Sequence, residues 1–184
     1  MTRKAPPPGP SLGPGDPLFD VASRARAHAH APYSGFPVGA AIRSEEGRIF
    51  AGCNVENASY PEGTCAETGA IAAMIAAGDR RIAEILILAE GTDPVPPCGG
   101  CRQRILEFAD PETPVILAGP EGERARLALG GLLPGPFSGS DLGQLRRDAG
   151  DGMPDRGAPG MPPGAPGGPP GAPPAPPATP DPPA

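Results

Sequence analysis

Two short cysteine motifs, each at the start of a predicted helix, constrain the fold of this chain more than any other feature. Cys65 stands two residues before Glu67, and Cys98 stands three residues before Cys101. Because three thiolates can bind one zinc ion, the fold has to bring the two helix starts together. A structural zinc site closes its fourth position with another sulfur or a histidine, whereas a catalytic site leaves it to water. The motifs therefore indicate an enzyme with one zinc ion.

Each motif alone also has a simpler interpretation. Helix starts favour thiolates and lower the pKa of cysteine, but redox pairs and structural zinc knuckles share the spacing of Cys98 and Cys101. From its helix start Glu67 can reach the region beside the metal as a general acid and base. As an acidic residue in a first turn, it can instead do no more than complement the helix dipole. The two motifs together favour the catalytic interpretation.

The fourth cysteine, Cys53, leaves one alternative open. It could complete a four-sulfur structural site, which would close the metal to water. Its place in a strand-like run beside Asn54 favours a role as a small apolar residue. The rival function that goes with a closed site is a structural zinc module in protein binding, with the proline-rich tail as a ligand for the partner.

The two ends of the chain differ in composition from its middle. The 184 residues include 31 prolines and 28 glycines, and both residue types are concentrated near the ends. Proline removes a backbone donor and fixes φ, and glycine adds chain entropy, so such segments rarely hold ordered structure. We expect a disordered Pro/Gly-rich N-terminus over 1–15, one folded domain over 16–145 and a disordered Pro/Gly/Ala-rich tail over 146–184.

Net charge and hydropathy limit the kinds of partner that the chain can bind. The formal net charge is −6 and there is no tryptophan, whereas a nucleic-acid site needs clustered cations and usually aromatic platforms. We therefore expect a small-molecule substrate and no nucleic acid. We also expect no membrane segment, since no apolar run reaches the roughly 20 residues needed to span a bilayer. The N-terminus lacks the apolar region of a signal peptide, so a cytoplasmic location is expected.

Hydrophobic periodicity and helix-capping signals predict eight alternating elements. Helices are expected at 17–30, 65–77 and 98–109, and strands at about 37–44, 48–54, 85–89, 115–118 and 124–129. This order predicts an α/β fold in which helices pack on the faces of a mixed sheet.

Five segments, taken in order, resemble the cytidine deaminase family, specifically its small homotetrameric branch with three cysteine ligands. The Cys-Ala-Glu motif at 65–67 and the Pro-Cys-Gly-Gly-Cys-Arg-Gln motif at 97–103 match its zinc motifs, a broad signature of zinc deaminases. Segments 32–41, 52–60 and 132–137 are similar to its opening strand, ribose-binding and C-terminal motifs. The resemblance implies a three-layer α-β-α fold around a five-stranded mixed sheet with helices on both faces.

The resemblance also assigns roles at the metal. Cys65, Cys98 and Cys101 match the ligands of one zinc ion per subunit, and Glu67 matches the residue that carries protons from water to the pyrimidine. The implied reaction is hydrolytic deamination of cytidine and 2′-deoxycytidine to uridine and 2′-deoxyuridine plus ammonia, in pyrimidine salvage. A related zinc deaminase for another nucleoside, a nucleotide or RNA is the alternative within the same class.

Further matches describe the binding of a pyrimidine nucleoside. Asn54 and Glu56 match residues that bind the 3′-hydroxyl of ribose, and Phe36 matches an apolar wall of the pocket. The peptide groups of Ala66 and Cys98 match those that read the base. Phe137 matches an aromatic side chain that stacks on the base from a neighbouring subunit, so the resemblance implies a homotetramer. Without the resemblance, the two phenylalanines could be core or interface packing and the two polar residues ordinary loop positions.

One position departs from the family pattern. Thr68 stands where many relatives of this branch carry an arginine that hydrogen-bonds the ligand sulfurs. A hydroxyl brings no positive charge, so the helix ends, or another cation such as Arg102, must balance the thiolates. From this substitution we expect a more electron-rich zinc ion and a higher pKa of its water.

Overall fold

The computed structural model describes residues 11–139 and residue 141. The expectations for 1–10 and for 142–184 lie outside the described residues. The elements, in chain order, are α1 (Pro17–Ala27), β1 (Val38–Ser44), β2 (Ile49–Cys53), a 3-10 turn (Tyr60–Glu62), α2 (Ala66–Ala76), β3 (Ile82–Ala89), α3 (Gly99–Leu106), β4 (Pro114–Gly119), β5 (Gly122–Ala128) and α4 (Leu129–Leu132).

The five strands form one mixed sheet in the order β2-β1-β3-β4-β5. Only β3 and β4 run parallel, and the other neighbouring pairs are antiparallel. Helix α1 packs on one face around Leu18 and Phe19, while α2, α3 and α4 cover the other face around Met74, Ile105 and Leu129. The predicted three-layer architecture with a five-stranded mixed sheet is confirmed.

Helix α1 begins where the sequence predicts and ends earlier. Asp16 caps it, because its Oδ1 accepts hydrogen bonds from the amides of Leu18 at 2.8 Å and Phe19 at 3.3 Å. The helix ends at Ala27 instead of residue 30. The backbone of His30 pairs with the segment after β2, donating to the carbonyl of Asn54 at 3.0 Å and accepting from Glu56 at 2.8 Å. Tertiary pairing therefore shortens the helix.

The segment 11–15, which we name the N-terminal strap, corrects part of the expectation of a disordered N-terminus. Leu12 is 8% exposed and belongs to the core on the α1 side of the sheet. Its backbone pairs with the start of β5: the amide donates to Glu123 Oε2 at 3.1 Å, and the Glu123 amide donates to the Leu12 carbonyl at 2.7 Å. One leucine among glycines and prolines gains enough burial to order the strap.

A close approach between β2 and α2 fixes the start of the helix that carries the first cysteine motif. A Cβ atom at Gly52 would lie 2.3 Å from the carbonyl oxygen of Ala66 and 2.4 Å from the amide nitrogen of Ala70. Glycine is therefore required here, and its absent side chain lets the helix start rest directly on the strand.

No helix among the described residues is both long and apolar enough to cross a membrane.

Candidate functional site

Three cysteine side chains converge between the starts of α2 and α3. Cys65 is the N-cap of α2, Cys98 is the N-cap of α3, and Cys101 lies in the first turn of α3. Their Sγ atoms all lie within 4.8 Å of one another, and those of Cys65 and Cys98 are 3.9 Å apart. Tetrahedral zinc with Zn–S bonds of about 2.3 Å holds its sulfurs about 3.8 Å apart. The arrangement fits a zinc ion.

The pKa shifts of the three thiols indicate that a cation is needed between them to keep all three ionised. Burial raises the pKa of Cys65 and of Cys101. Burial also opposes ionisation of Cys98, but hydrogen bonds from the Cys101 amide and the other thiols outweigh it and lower the pKa. The expectation that helix starts lower cysteine pKa holds for Cys98 alone. A bound divalent cation favours all three thiolates, since a coordinating thiol is deprotonated.

Cys53 does not join this group. It ends β2 and is half-buried, and the possible metal-binding group found in the described part of the chain consists of the other three cysteines. The geometry thus gives three sulfurs and favours an open fourth position over a four-sulfur structural site.

Glu67 lies beside the sulfurs and outside their group. It is in the first turn of α2 and is 5% exposed. It lines the same cavity as Cys65 and Cys98, and its carboxylate opposes ionisation of each of the three thiols, although in Cys98 the hydrogen bonds outweigh this and the net pKa is lowered. A cavity of about 200 Å³ opens next to it, lined by Val38, Asn54, Cys65, Ala66, Glu67, Ile87, Val95, Pro96 and Cys98. This cavity joins an acid, a potential metal centre and an amide side chain.

The amide of Asn54 is held in a fixed orientation at the rim of this cavity. Its Oδ1 accepts from the amide of Val38 at 2.8 Å, and its Nδ2 donates to the carbonyl of Phe36 at 3.0 Å. An asparagine amide has two donor hydrogens and two acceptor lone pairs, so one of each remains for a ligand.

Glu56 lines a second cavity, of about 310 Å³, next to Tyr33, Ser34, Asn57, Tyr60 and Gly63. Its Oε2 accepts from the amides of Tyr33 at 2.9 Å and Ser34 at 3.1 Å, and its Oε1 accepts from the Ser34 hydroxyl. The hydrogen bond from the Ser34 side chain is the main cause that lowers the pKa of Glu56. The carboxylate is therefore an ionised acceptor at neutral pH.

Within one chain, the two phenylalanines of the predicted site do not line the cavity beside Glu67. Phe36 is 38% exposed and Phe137 is 57% exposed, so neither is a core residue. The carbonyl of Phe137 accepts a hydrogen bond of 2.7 Å from Gln103 Nε2, which ties the segment after α4 to α3. The side chain of Phe137 is thus available to another molecule.

Arg102 supports a zinc-binding motif through the backbone. Its Nε donates to the carbonyl of Pro97 at 2.7 Å, and a terminal nitrogen donates to the carbonyl of Leu132 at 2.9 Å. The guanidinium therefore fixes the residue before Cys98 against the end of α4. Sequence reasoning offered Arg102 only as a balancing charge and did not single out Ser34, since both of these roles depend on distant partners.

Comparison with known proteins gives consistent matches. The family model described as the cytidine and deoxycytidylate deaminase zinc-binding region matches residues 16–117. A cytidine deaminase of Sporosarcina psychrophila is 42% identical over 125 residues, which are 68% of this chain and 92% of that protein. A probable cytidine deaminase of Dictyostelium discoideum is 39% identical, with 67% and 84% covered.

Solved structures agree. The crystal structure of cytidine deaminase from Burkholderia pseudomallei has a TM-score of 0.62 and 43% identity, covering 65% of this chain and 96% of that one. That of the enzyme from Mycobacterium tuberculosis has a TM-score of 0.57 and 38% identity, covering 66% and 94%. The region matched by the family model includes all three clustered cysteines and Glu67.

Proposed function

The chain belongs to the cytidine and deoxycytidylate deaminase family, and from this premise we propose that Cys65, Cys98 and Cys101 bind its zinc ion and that Glu67 carries its protons. The protein is a zinc-dependent enzyme that deaminates cytidine. The observation that carries the assignment of residues is the three-sulfur cluster with a buried carboxylate beside it and a cavity in front.

Zinc, when bound, supplies the Lewis acid that activates water for attack on C4 of the pyrimidine. Glu67 accepts a proton from that water and transfers it to N3 of the base, while the remaining hydroxyl adds to C4. Glu67 then takes the proton of the C4 hydroxyl and delivers it to the amino group, so that C4 becomes a carbonyl and ammonia leaves. Its burial suits this work, because a carboxylate that is fixed beside the substrate and shielded from bulk water transfers protons efficiently. The peptide groups of Ala66 and Cys98, at the starts of two helices, orient the base.

The cavities favour a nucleoside over a nucleotide. A phosphate would call for arginine or lysine, and the described residues that line the two cavities include neither. Asn54 and Glu56 bind the 3′-hydroxyl of the sugar. Because these contacts avoid the 2′ position, 2′-deoxycytidine is a substrate as well, and the products are uridine or 2′-deoxyuridine and ammonia.

The active enzyme is a homotetramer in which each site receives Phe137 from a neighbouring subunit. Four exposed aromatic side chains support this assembly: Tyr33, Phe36, Tyr60 and Phe137. The catalytic domain comprises residues 16–145, close to the compact unit that ends at Asp141, and the Pro/Gly/Ala-rich segment 146–184 is a tail without catalytic residues.

The cellular role follows from the chemistry. Three zinc-binding thiols must stay reduced, so the enzyme works in a reducing compartment, the cytoplasm. There it converts free pyrimidine nucleosides for salvage.

The variant Glu67→Gln tests the assignment of the proton carrier. It keeps the shape of the side chain and removes its basicity, so we expect full zinc content and a fall in kcat of about a hundredfold to ten-thousandfold. Zinc is measured by atomic absorption, and turnover by the ultraviolet absorbance change as cytidine becomes uridine. Unchanged turnover would contradict the role of Glu67. A zinc-loaded wild type that leaves cytidine unchanged would favour the structural zinc module.

A further inference from the structure

The hydrogen bonds around Glu56 point to a supporting role for Ser34, a residue that takes no part in the reaction itself. Glu56 lies in the loop after β2, and its carboxylate reaches back to the loop before β1. There it accepts from the amides of Tyr33 and Ser34 through Oε2 and from the Ser34 hydroxyl through Oε1. One residue, Ser34, thus contacts both oxygens.

The Ser34 hydroxyl is itself held in place. While its hydrogen is donated to Glu56, its oxygen accepts from the amide of Phe36 at 3.0 Å. This two-residue side-chain-to-backbone turn fixes the rotamer of the serine. The serine therefore links the carboxylate rigidly to the loop that carries Phe36.

Counting acceptor sites shows what remains for a ligand. An ionised carboxylate offers about four lone-pair directions and donates nothing. Two directions on Oε2 and one on Oε1 are occupied. The free direction lies on Oε1, the same oxygen that Ser34 holds, so the serine hydroxyl sets where a ligand hydroxyl must approach.

We propose that Ser34 is a positioning residue for the sugar: by fixing Oε1 of Glu56, it makes the site selective for nucleosides with a free 3′-hydroxyl. The inference rests on the proposed function, in which Glu56 accepts a hydrogen bond from that hydroxyl. A fixed, ionised acceptor favours a donor at this position and repels a phosphate.

The test compares cytidine with 3′-deoxycytidine in the wild type and in Ser34→Ala. Loss of a hydrogen bond to a charged group should raise KM for cytidine about tenfold, with kcat changed less than about twofold. For 3′-deoxycytidine, kcat/KM should be the same in both proteins within about twofold, because the contact is absent in either case. Ser34→Thr keeps a hydroxyl and should restore KM for cytidine to within about threefold.

A double-mutant cycle adds a second measurement. If Ser34 acts through Glu56, the variants Glu56→Ala and Ser34→Ala/Glu56→Ala should share one KM for cytidine. Ser34→Gly also removes the hydroxyl and replaces the alanine variant if that variant does not fold. An equal loss on both substrates, or additive effects in the cycle, would overturn the proposal while the wild type still converts cytidine. A wild type that does not convert cytidine would overturn the proposed function, and this inference with it.

Discussion

The three clustered cysteines differ in burial, and this difference bears on how the zinc ion is held. Cys101 is buried, Cys65 is half-buried and Cys98 is exposed. A ligand below the surface has few alternative positions, since the core around it is closely packed. The sulfur of Cys101 would therefore be the ligand with the least freedom to move, and the sulfur of Cys98 would lie on the solvent side of a bound ion.

Two cysteine variants distinguish a cysteine that binds zinc from one that does not. Cys101→Ser should weaken zinc affinity by about a hundredfold or more, since changes even to outer-shell partners cost 10- to 100-fold. Cys53→Ala should keep one zinc ion per chain, because Cys53 lies outside the sulfur group. Competition with a chromogenic chelator measures both affinities. Zinc loss in Cys53→Ala, with the melting temperature unchanged, would restore the four-sulfur interpretation.

Local sequence patterns could predict the residues of the candidate metal site, but not the residues that hold neighbouring groups in position. Cys65, Glu67, Cys98 and Cys101 occur in two compact motifs, which together favour a metal centre before the fold is known, and the fold does bring the three cysteines together. Ser34 acts on a residue 22 positions away, and Arg102 on one 30 positions away. Such contacts form only after the fold is complete, and a single serine or arginine gives no periodic signal of them.

At the level of elements, the contact between β2 and α2 places the first metal ligand. Gly52→Ala would push a methyl group into the backbone of α2, at the carbonyl of Ala66 and the amide of Ala70. We expect the free energy of unfolding to fall by about 1–3 kcal/mol and zinc affinity to fall with it, because the helix start must move. Urea unfolding and zinc competition measure the two effects.

Gly131→Ala is the matched control for this prediction. Gly131 lies in α4, and a Cβ atom there would meet nothing within 4 Å. Alanine also favours helix more than glycine does, so stability should stay equal or rise by up to about 1 kcal/mol. Equal stability of the two variants would contradict a close approach at Gly52.

The order of elements follows from hydrophobic periodicity, while several boundaries do not. All eight expected helices and strands are present, and α4 is added after β5. Strand β3 begins at Ile82 instead of residue 85, because Ile82 pairs with Ser44 beyond an irregularity in β1. The expected strand covered only its continuous apolar part. Glu84 interrupts the apolar pattern but still lies in β3, because its carboxylate forms a cross-strand ion pair of 2.8 Å with Arg43 in β1.

At the scale of the whole molecule, the exposed Phe137 allows a test of whether each active site contains residues from two subunits. If its ring stacks on the base in the neighbouring subunit, Phe137→Ala should lower kcat/KM by about five- to a hundredfold. Mixed tetramers of Phe137→Ala and Glu67→Gln chains should contain sites that combine an intact Glu67 with an intact Phe137. With random assembly these are about a quarter of all sites, so activity should recover to about that fraction.

The control for this mixture replaces the Glu67→Gln chain with the double variant Glu67→Gln/Phe137→Ala. That chain offers no ring, and the activity should stay at the level of the Phe137→Ala chains present. The chains are mixed by co-expression with two different affinity tags, and the hybrids are isolated by purification on both. Inactive hybrids of the first pair would contradict the donation of Phe137 between subunits.

The N-terminal strap has a practical consequence for anyone who shortens the gene. The match to the family model begins at residue 16, which invites removal of everything before it. A chain trimmed there keeps every residue of the zinc centre and loses Leu12, and so uncovers apolar surface on the α1 side of the sheet. Poor yield or aggregation of such a shortened enzyme would then reflect the loss of Leu12 from the core, while the residues of the zinc centre remain in place.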